Sequence, residues 1–144
     1  MTTGKTTSKY TTVTYGGQLI TCSVDNITGL GISYQEVDVT TLCKAIAENI
    51  NGVGTVAISI SGPLDNTATT GGHTVIQALN GSQAGSTLTV AFGNRAAATN
   101  GDPEFESTVM LTTSYMVSAG GGNVTYSATL KPGVGAAAAW GVVS

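Results

Sequence analysis

The middle of the chain contains a short segment in which every second residue is apolar. Val56, Ile58 and Ile60 are β-branched, and each is separated from the next by a single alanine or serine. Successive side chains of a strand point to opposite faces, so this period of two predicts a β-strand with one buried face. The small residues predict an opposite face that carries no charge. We therefore expect this strand to form one wall of a core.

A short helix and a second strand are predicted downstream. Residues 74–80 (TVIQALN) place their apolar side chains on one helical face, and Gly81 can take the left-handed conformation that ends a helix. Residues 87–92 (TLTVAF) return to a period of two. The order strand, linker, helix, strand predicts a β-sandwich with the helix over its open edge.

The segment before the central strand leaves two structures open. Leu42, Ile46 and Ile50 are spaced by four residues, as on one face of a helix, and Gly52 and Gly54 follow them. A helical piece over residues 42–50 and a long ordered arm both fit this pattern.

Further strands are predicted on both sides of this central region. Residues 10–24 form a hairpin, residues 30–34 alternate into a third strand, and residues 105–117 pair with residues 123–130. The predicted fold class is mainly β, an antiparallel β-sandwich or small barrel with one short flanking α-helix, in a single domain spanning residues 1–144.

On the last hairpin Met110 and Met116 are expected on one face. The opposite face is expected to carry Val109, Leu111 and Tyr115, and the partner strand to present Val124, Tyr126, Ala128 and Leu130.

The surface of this domain is predicted to be poor in charge. Charged residues make up 9% of the chain, against about 25% in ordinary soluble domains. Such a surface favours self-assembly, because copies of the chain then cover the faces that charges would otherwise solvate. The net charge of −3 and five scattered basic residues argue against a protein that grips DNA, whereas a mildly acidic wall suits the passage of DNA.

Sites for metals, cofactors or catalysis are not predicted. His73 is the only histidine and no orienting acid can be assigned to it, so the chain is not expected to be an enzyme. Cys22 and Cys43 are expected to be buried thiols rather than a disulfide. No apolar run reaches the ~20 residues that a membrane span requires.

Two more features are candidate functional residues. Asp102, Glu104 and Glu106 recur at steps of two and would share one face of an extended chain, where an acidic solvated strand end is favoured over a cation site. Trp140, the only tryptophan, lies in a low-complexity C-terminal tail of residues 131–144 and should find a pocket on its own domain or on a neighbour. Residues 1–9 are expected to form a flexible N-terminal arm.

The wording and order of the central elements resemble a known family. Residues 36–42 (EVDVTTL), residues 59–62 (SISG), the helix and the strand ending in residues 87–93 (TLTVAFG) are similar to the major tail tube proteins of long-tailed, siphovirus-type bacteriophages. The resemblance is clearest over residues 34–93 and continues more loosely to residue 131.

The resemblance implies a structural virion protein that forms hexameric rings, which stack into the phage tail tube. Its partners would be further copies of itself, a tape measure protein, a tail terminator and tail-tip proteins, and DNA would pass through the lumen without specific binding. Assembly would take place in the cytoplasm of the host bacterium, with no membrane and no cofactor. Residues 37–54 would form an arm between subunits. The implied assembly interface contains Val37, Asp38, Val39, Leu42, Ile46, Ile50 and Trp140, and the implied acidic lumen contains Asp102, Glu104 and Glu106.

Two other classes stay open at this point. A phage head decoration or head-tail connector protein would share the composition. A secreted carbohydrate-binding module would need an export signal, which the polar residues 1–10 do not resemble, and several exposed tyrosines for stacking on sugar rings.

Overall fold

The computed structural model describes residues 8–65, 67, 71–93 and 98–143. Over these residues the chain folds into antiparallel strands and one short α-helix, in agreement with the predicted fold class. The elements are β1 (Thr11–Tyr15), β2 (Gln18–Leu19), β3 (Asn26–Thr28), β4 (Ser33–Asp38), β5 (Asn49–Thr55), β6 (Ile58–Pro63), α1 (Gly72–Leu79), β7 (Ser86–Phe92), β8 (Pro103–Gly120), β9 (Asn123–Pro132) and β10 (Ala138–Val142).

One long strand, β8, joins the two halves of the main sheet. The strand order is β2-β1-β7-β8-β9-β6-β3, and β10 pairs with β8 as well. The first part of β8 pairs with β7 and β10, whereas the part from Met110 to Gly120 pairs with β9. Side chains from both halves belong to a single core cluster, so the sheet folds over itself into a sandwich.

The core is built from the alternating residues of these strands. From one half come Val13, Tyr15, Leu88, Val90 and Phe105, and from the other Ile58, Ile60, Tyr126, Ala128 and Leu130. The alternation predicted for the central strand is therefore confirmed. Each large side chain of this kind contributes about 1.5–3 kcal/mol when it is fully buried.

The buried tyrosine hydroxyls are hydrogen-bonded. The Tyr15 hydroxyl donates to the Met110 carbonyl at 3.0 Å and lies 2.9 Å from Thr112 Oγ1. The Tyr126 hydroxyl donates to the Ser23 carbonyl at 2.7 Å. Burial raises the pKa of both tyrosines, so both hydroxyls keep their protons and hold the two halves of the sheet to neighbouring backbone.

Helix α1 forms where the sequence predicts it. Val75 and Ile76 are buried in the core, and Gly81 after the helix has a φ of 80°. The backbone N–H of Gly81 donates to the Thr112 carbonyl at 3.1 Å, which fixes the end of the helix against β8. No helix in the described part of the chain is long and apolar enough to cross a membrane.

The face assignment along β8 is wrong for the methionines. Met110 is fully buried, whereas Met116 is 66% exposed. Near Val109, which has a φ of 53°, the register of β8 against β7 shifts by one residue. The register of β8 against β9 shifts between Thr112 and Ser114. Each irregularity inserts a residue and exchanges the two faces of the strand, so strict alternation does not persist along β8. Val124, expected on the apolar face of the partner strand, is also exposed.

The C-terminal region differs from the expected tail. Residues Ala138–Val142 form strand β10, which pairs with the first part of β8. Their alanine-rich sequence carries a weak strand signal, but the free edge of β8 offers backbone partners that any residue with an N–H can use.

Substitution of Ser107 by alanine is expected to stabilise the fold. Ser107 is fully buried in β8, and its hydroxyl has no hydrogen-bond partner among the described residues. Because an unpaired buried hydroxyl costs roughly 1–3 kcal/mol, Ser107→Ala should raise the free energy of unfolding by about 1 kcal/mol. Thr112→Val is the matched control: its buried hydroxyl is bonded to Tyr15, so this change should lower stability. Chemical denaturation of both variants measures the difference, and a destabilised Ser107→Ala protein would contradict the assignment.

Candidate assembly interface

Strands β4 and β5 form a hairpin that stands apart from the main sheet. They make a two-stranded sheet of their own, with Val37 opposite Ile50 and Asp38 opposite Asn49. We call residues 33–55 the hairpin arm and residues 39–48 its tip. The second helical piece expected over residues 42–50 is therefore not formed, and the alternative of an ordered arm is the correct one. A short helix needs a surface against which to bury its apolar stripe, and the strand pairing at residues 49–55 takes that segment instead.

The hairpin arm exposes an unusual number of apolar side chains. Leu42 is fully exposed and Ile46 is 79% exposed. The other exposed apolar residues of the arm are Tyr34, Val37, Val39, Ile50 and Val53. All six arm residues expected at an assembly interface, which include Asp38, are thus exposed to solvent. Seven large apolar side chains exposed within 23 residues make the arm the candidate interaction surface.

The tip is held in one conformation by local hydrogen bonds. The Thr40 N–H donates to Asp38 Oδ1 at 2.8 Å, the Glu48 N–H donates to Thr40 Oγ1 at 2.7 Å, and the Val39 N–H donates to the Glu48 carbonyl at 2.9 Å. Lys44 Nζ lies 3.3 Å from Glu48 Oε1. These contacts order the ten residues of the tip although they lie outside both sheets.

The conformational order of the tip is expected to depend on pH. Hydrogen bonding by Thr40, through its hydroxyl first and its N–H second, lowers the pKa of Asp38 below its ordinary value of 3.8. This carboxylate therefore stabilises the folded tip fully above pH 3.8, and the contribution is lost as the pH falls through the lower folded pKa. The amide NMR signals of Thr40 and Glu48 should shift in that range. Asp38→Asn should abolish the pH-dependent shift of the Thr40 amide signal. A Thr40 signal that still shifts in this variant would contradict the assignment.

Trp140 packs on its own domain with part of its ring. Its indole stacks on Phe92 at 6.0 Å between ring centroids and meets the edge of Phe105 at 5.1 Å. The side chain is still 53% exposed, so it also presents apolar surface to solvent beside the core.

The three acidic residues are only partly brought together. Glu104 and Glu106 lie on the outer face of β8, on either side of the buried Phe105. Asp102 lies in the turn before the strand, where its Oδ2 accepts from the Thr99 N–H at 2.9 Å. The structure therefore places Glu104 and Glu106 on the same face of β8 and Asp102 outside the strand. No cluster able to hold a metal ion is found in the residues described.

A second exposed surface was only partly predicted. The outer face of β6 and β9 presents Ser59 opposite Thr129 and Ser61 opposite Ser127. Beside it, the end of the β8–β9 hairpin exposes Met116 and other apolar residues. The alternating serines of β6 indicate a small polar face, but their alignment with β9 depends on strand register. This hydroxyl-bearing face carries small side chains, and a cavity of about 520 Å³ lies where Ser61 and Ser127 meet the end of the β8–β9 hairpin at Met116.

The only histidine of the sequence joins the helix to the sheet. His73 Nδ1 lies 2.7 Å from the Tyr115 hydroxyl, so the histidine links α1 to β8.

The expected burial of the two cysteines is wrong, because Cys22 and Cys43 are both exposed and unpaired. Cys22 lies on a 3-10 turn at Thr21–Ser23, and Cys43 lies on the tip. All five tyrosines lie in the described part of the chain and only Tyr34 among them is exposed, which does not make a stacking platform for sugars. The predicted N-terminal arm lies outside the described residues except for its last two positions.

Comparisons with known proteins establish the fold class. No family profile and no curated protein sequence matches the chain significantly. Solved structures do match, and each likeness spans nearly the whole chain. A chain of an extracellular contractile injection system, the PVC sheath-tube complex in the extended state, superposes with a TM-score of 0.73 at 15% identity, covering 98% of this chain and 94% of its own.

Two further structures agree with this result. A chain of the anti-feeding prophage cap, described as a tube terminating cap, superposes with a TM-score of 0.75 at 11% identity, covering 99% of this chain and 95% of its own. A chain of the native gene transfer agent virion superposes with a TM-score of 0.67 at 15% identity, covering 97% of this chain and 100% of its own. The chain therefore has a tail-tube-like fold, as the sequence resemblance implies. The three structures are described as an injection-system sheath-tube complex, a tube cap and a gene transfer agent virion, and none of them as a siphovirus-type tail.

Proposed function

We propose that this protein is a structural subunit of the tail tube of a phage-like particle and has no enzymatic activity. The observation that carries the proposal is the hairpin arm, an ordered two-stranded extension with apolar side chains turned to solvent. A chain that functions as a monomer would gain nothing from this exposed surface. The near-complete structural likeness to chains of sheath-tube, tube-cap and virion assemblies supports the same reading.

The subunits are proposed to form hexameric rings that stack into a tube. Among the described residues, strands β2, β3 and β10 each pair with a single strand and so form edges, and a closed ring covers such edges. The number six and the siphovirus type rest on the sequence resemblance alone. In such a tail the tube would extend around a tape measure protein between a terminator and the tail tip, within a virion assembled in the bacterial cytoplasm.

DNA is proposed to pass through the lumen without specific binding. Glu104 and Glu106 form an acidic pair among small side chains, and carboxylates facing the lumen would repel the phosphates and prevent adhesion. A helical reconstruction of the tube tests this directly. The proposal requires β8 to present these two residues to the inner wall, and their location on the outer wall would exclude it.

Electron microscopy of the purified chain tests the main proposal. Hollow tubes or stacked rings, with a matching sedimentation profile, are the expected result. If the chain alone stays small, addition of tail-tip components should nucleate tubes. A uniform small particle under both conditions would contradict the tube proposal and favour a head decoration or connector protein, which binds to a capsid instead.

A further inference from the structure

A cavity beside the core opens to solvent next to the base of the hairpin arm. Its volume is about 500 Å³, and its apolar lining includes Val24, Ile27, Leu30 and Phe92. Lys9 also lines it. We call this space the side cavity. A space of this size has room for aliphatic side chains from another chain.

Charges accompany the apolar lining of the side cavity. Lys9 and Asp25 both line the cavity and are both exposed, so they lie at its opening. The side cavity thus has a mixed lining, in which apolar side chains stand beside Thr11, Thr21 and Asn26, with one cation and one anion among the residues around it.

The tip of the hairpin arm has the complementary composition. Leu42 and Ile46 project from it into solvent, and Lys44 and Glu48 lie beside them as a pair of opposite charges. Insertion of the apolar side chains would allow Glu48 to approach Lys9 and Lys44 to approach Asp25. Opposite charges at the rim fix the orientation of such a contact more than its strength.

The tip cannot reach the side cavity of its own chain. The arm begins at Ser33, three residues after Leu30, which lines the cavity, and β4 has six residues. A strand of this length places the tip roughly 20 Å from the base. Folding back would break the pairing of β4 with β5, so in this fold the tip is free to contact another copy.

We propose that the tip of one copy inserts Leu42 and Ile46 into the side cavity of the next copy. This inference deepens the proposed function, on which it rests, by naming the contact between subunits. The donor and the acceptor are different surfaces, so the contact is heterologous and propagates into rings or stacks. It also accounts for Trp140, which stacks on Phe92 of the cavity lining and stays half exposed in the single chain.

The two cysteines provide a direct test. Cys43 follows Leu42 on the tip, and Cys22 follows Thr21, which lines the side cavity. Both thiols are exposed, and the sequence contains no others. If the tip docks as proposed, Cys43 of one copy lies close to Cys22 of the next, and a short bismaleimide should link these unlike positions.

Cross-linking of assembled protein distinguishes this contact from others. The wild type should give a ladder of linked oligomers. Cys22→Ser alone and Cys43→Ser alone should give no ladder, and a co-assembled mixture of the two should give dimers only. Efficient dimers from either single variant would overturn the proposal, because they would show like positions in contact.

A surface substitution supplies the second arm of the test. Leu42→Asp should slow ladder formation by about tenfold or more, since a leucine that would be buried in the contact becomes a charge, without a change in the thermal unfolding of the unassembled monomer. Val134→Asp is the matched control, because Val134 is also fully exposed but belongs to neither surface. An equal effect of the two substitutions would overturn the docking.

Electron microscopy of the same samples separates the two proposals. Tubes without Cys22–Cys43 links would overturn the docking and leave the tube function intact. Links without tubes would support the docking and count against the tube function. Neither tubes nor links, with tail-tip components present, would contradict both.

Discussion

Removal of the hairpin arm is expected to leave a folded chain that no longer polymerises. Residues 35–53 can be replaced by Asn-Gly, because Tyr34 and Gly54 are partners in the antiparallel register and a two-residue turn can join them. The arm pairs with no strand of the main sheet, so its loss should leave the core unchanged. Without the exposed tip, the surface that we assign to subunit contact is missing.

Sedimentation and electron microscopy measure the loss of assembly, and thermal unfolding measures the fold. We expect a monomer with a melting temperature within a few degrees of that of the wild-type monomer. The Val134→Asp variant, which keeps the arm, should still form tubes. Tubes from the armless chain would show that another surface carries assembly, and an unfolded armless chain would show that the arm is part of the core.

Truncation of Phe105 should have the largest effect on stability. Phe105 is fully buried in β8 and lies opposite Val90 of β7 and Trp140 of β10. Its ring centroid is 5.1 Å from that of the Trp140 indole. Phe105→Ala should cost about 3–5 kcal/mol, because it removes a large buried side chain and leaves a cavity that strands on both sides prevent from closing. The expected loss is a large fraction of the stability of a domain of this size.

Denaturation followed by fluorescence measures this loss, since Trp140 is the only tryptophan and lies against Phe105. The armless background is the right one for the measurement, because assembly would otherwise add apparent stability by mass action. Val134→Ala, at a fully exposed site, should change the unfolding free energy by less than about 0.5 kcal/mol. A loss below about 1 kcal/mol for Phe105→Ala would contradict the central position of this residue in the core.

The elements predicted correctly from sequence are those whose signal is local. The alternation at residues 56–60 and 87–92 and the helical face of residues 74–80 predict β6, β7 and α1, because period and glycine position bias each segment before any contact forms. The apolar residues of the arm could also be chosen from sequence as assembly candidates. Their spacing by four was misleading, since it fits one face of a helix that has no surface to pack against.

Tertiary structure decided the features that depend on a partner strand. The irregular backbone at Val109 and the register shift against β9 after Thr112 exchange the faces of β8. No local sequence pattern predicts either of them. The edge of β8 turns an alanine-rich tail into β10 and places Trp140 on Phe92. Composition and period thus determined a β-sandwich with a sparsely charged surface. Only the pairing of distant strands determined which side chains face the core, where the side cavity opens and how far the tip stands from it, because register and long-range backbone bonds are properties of two segments together.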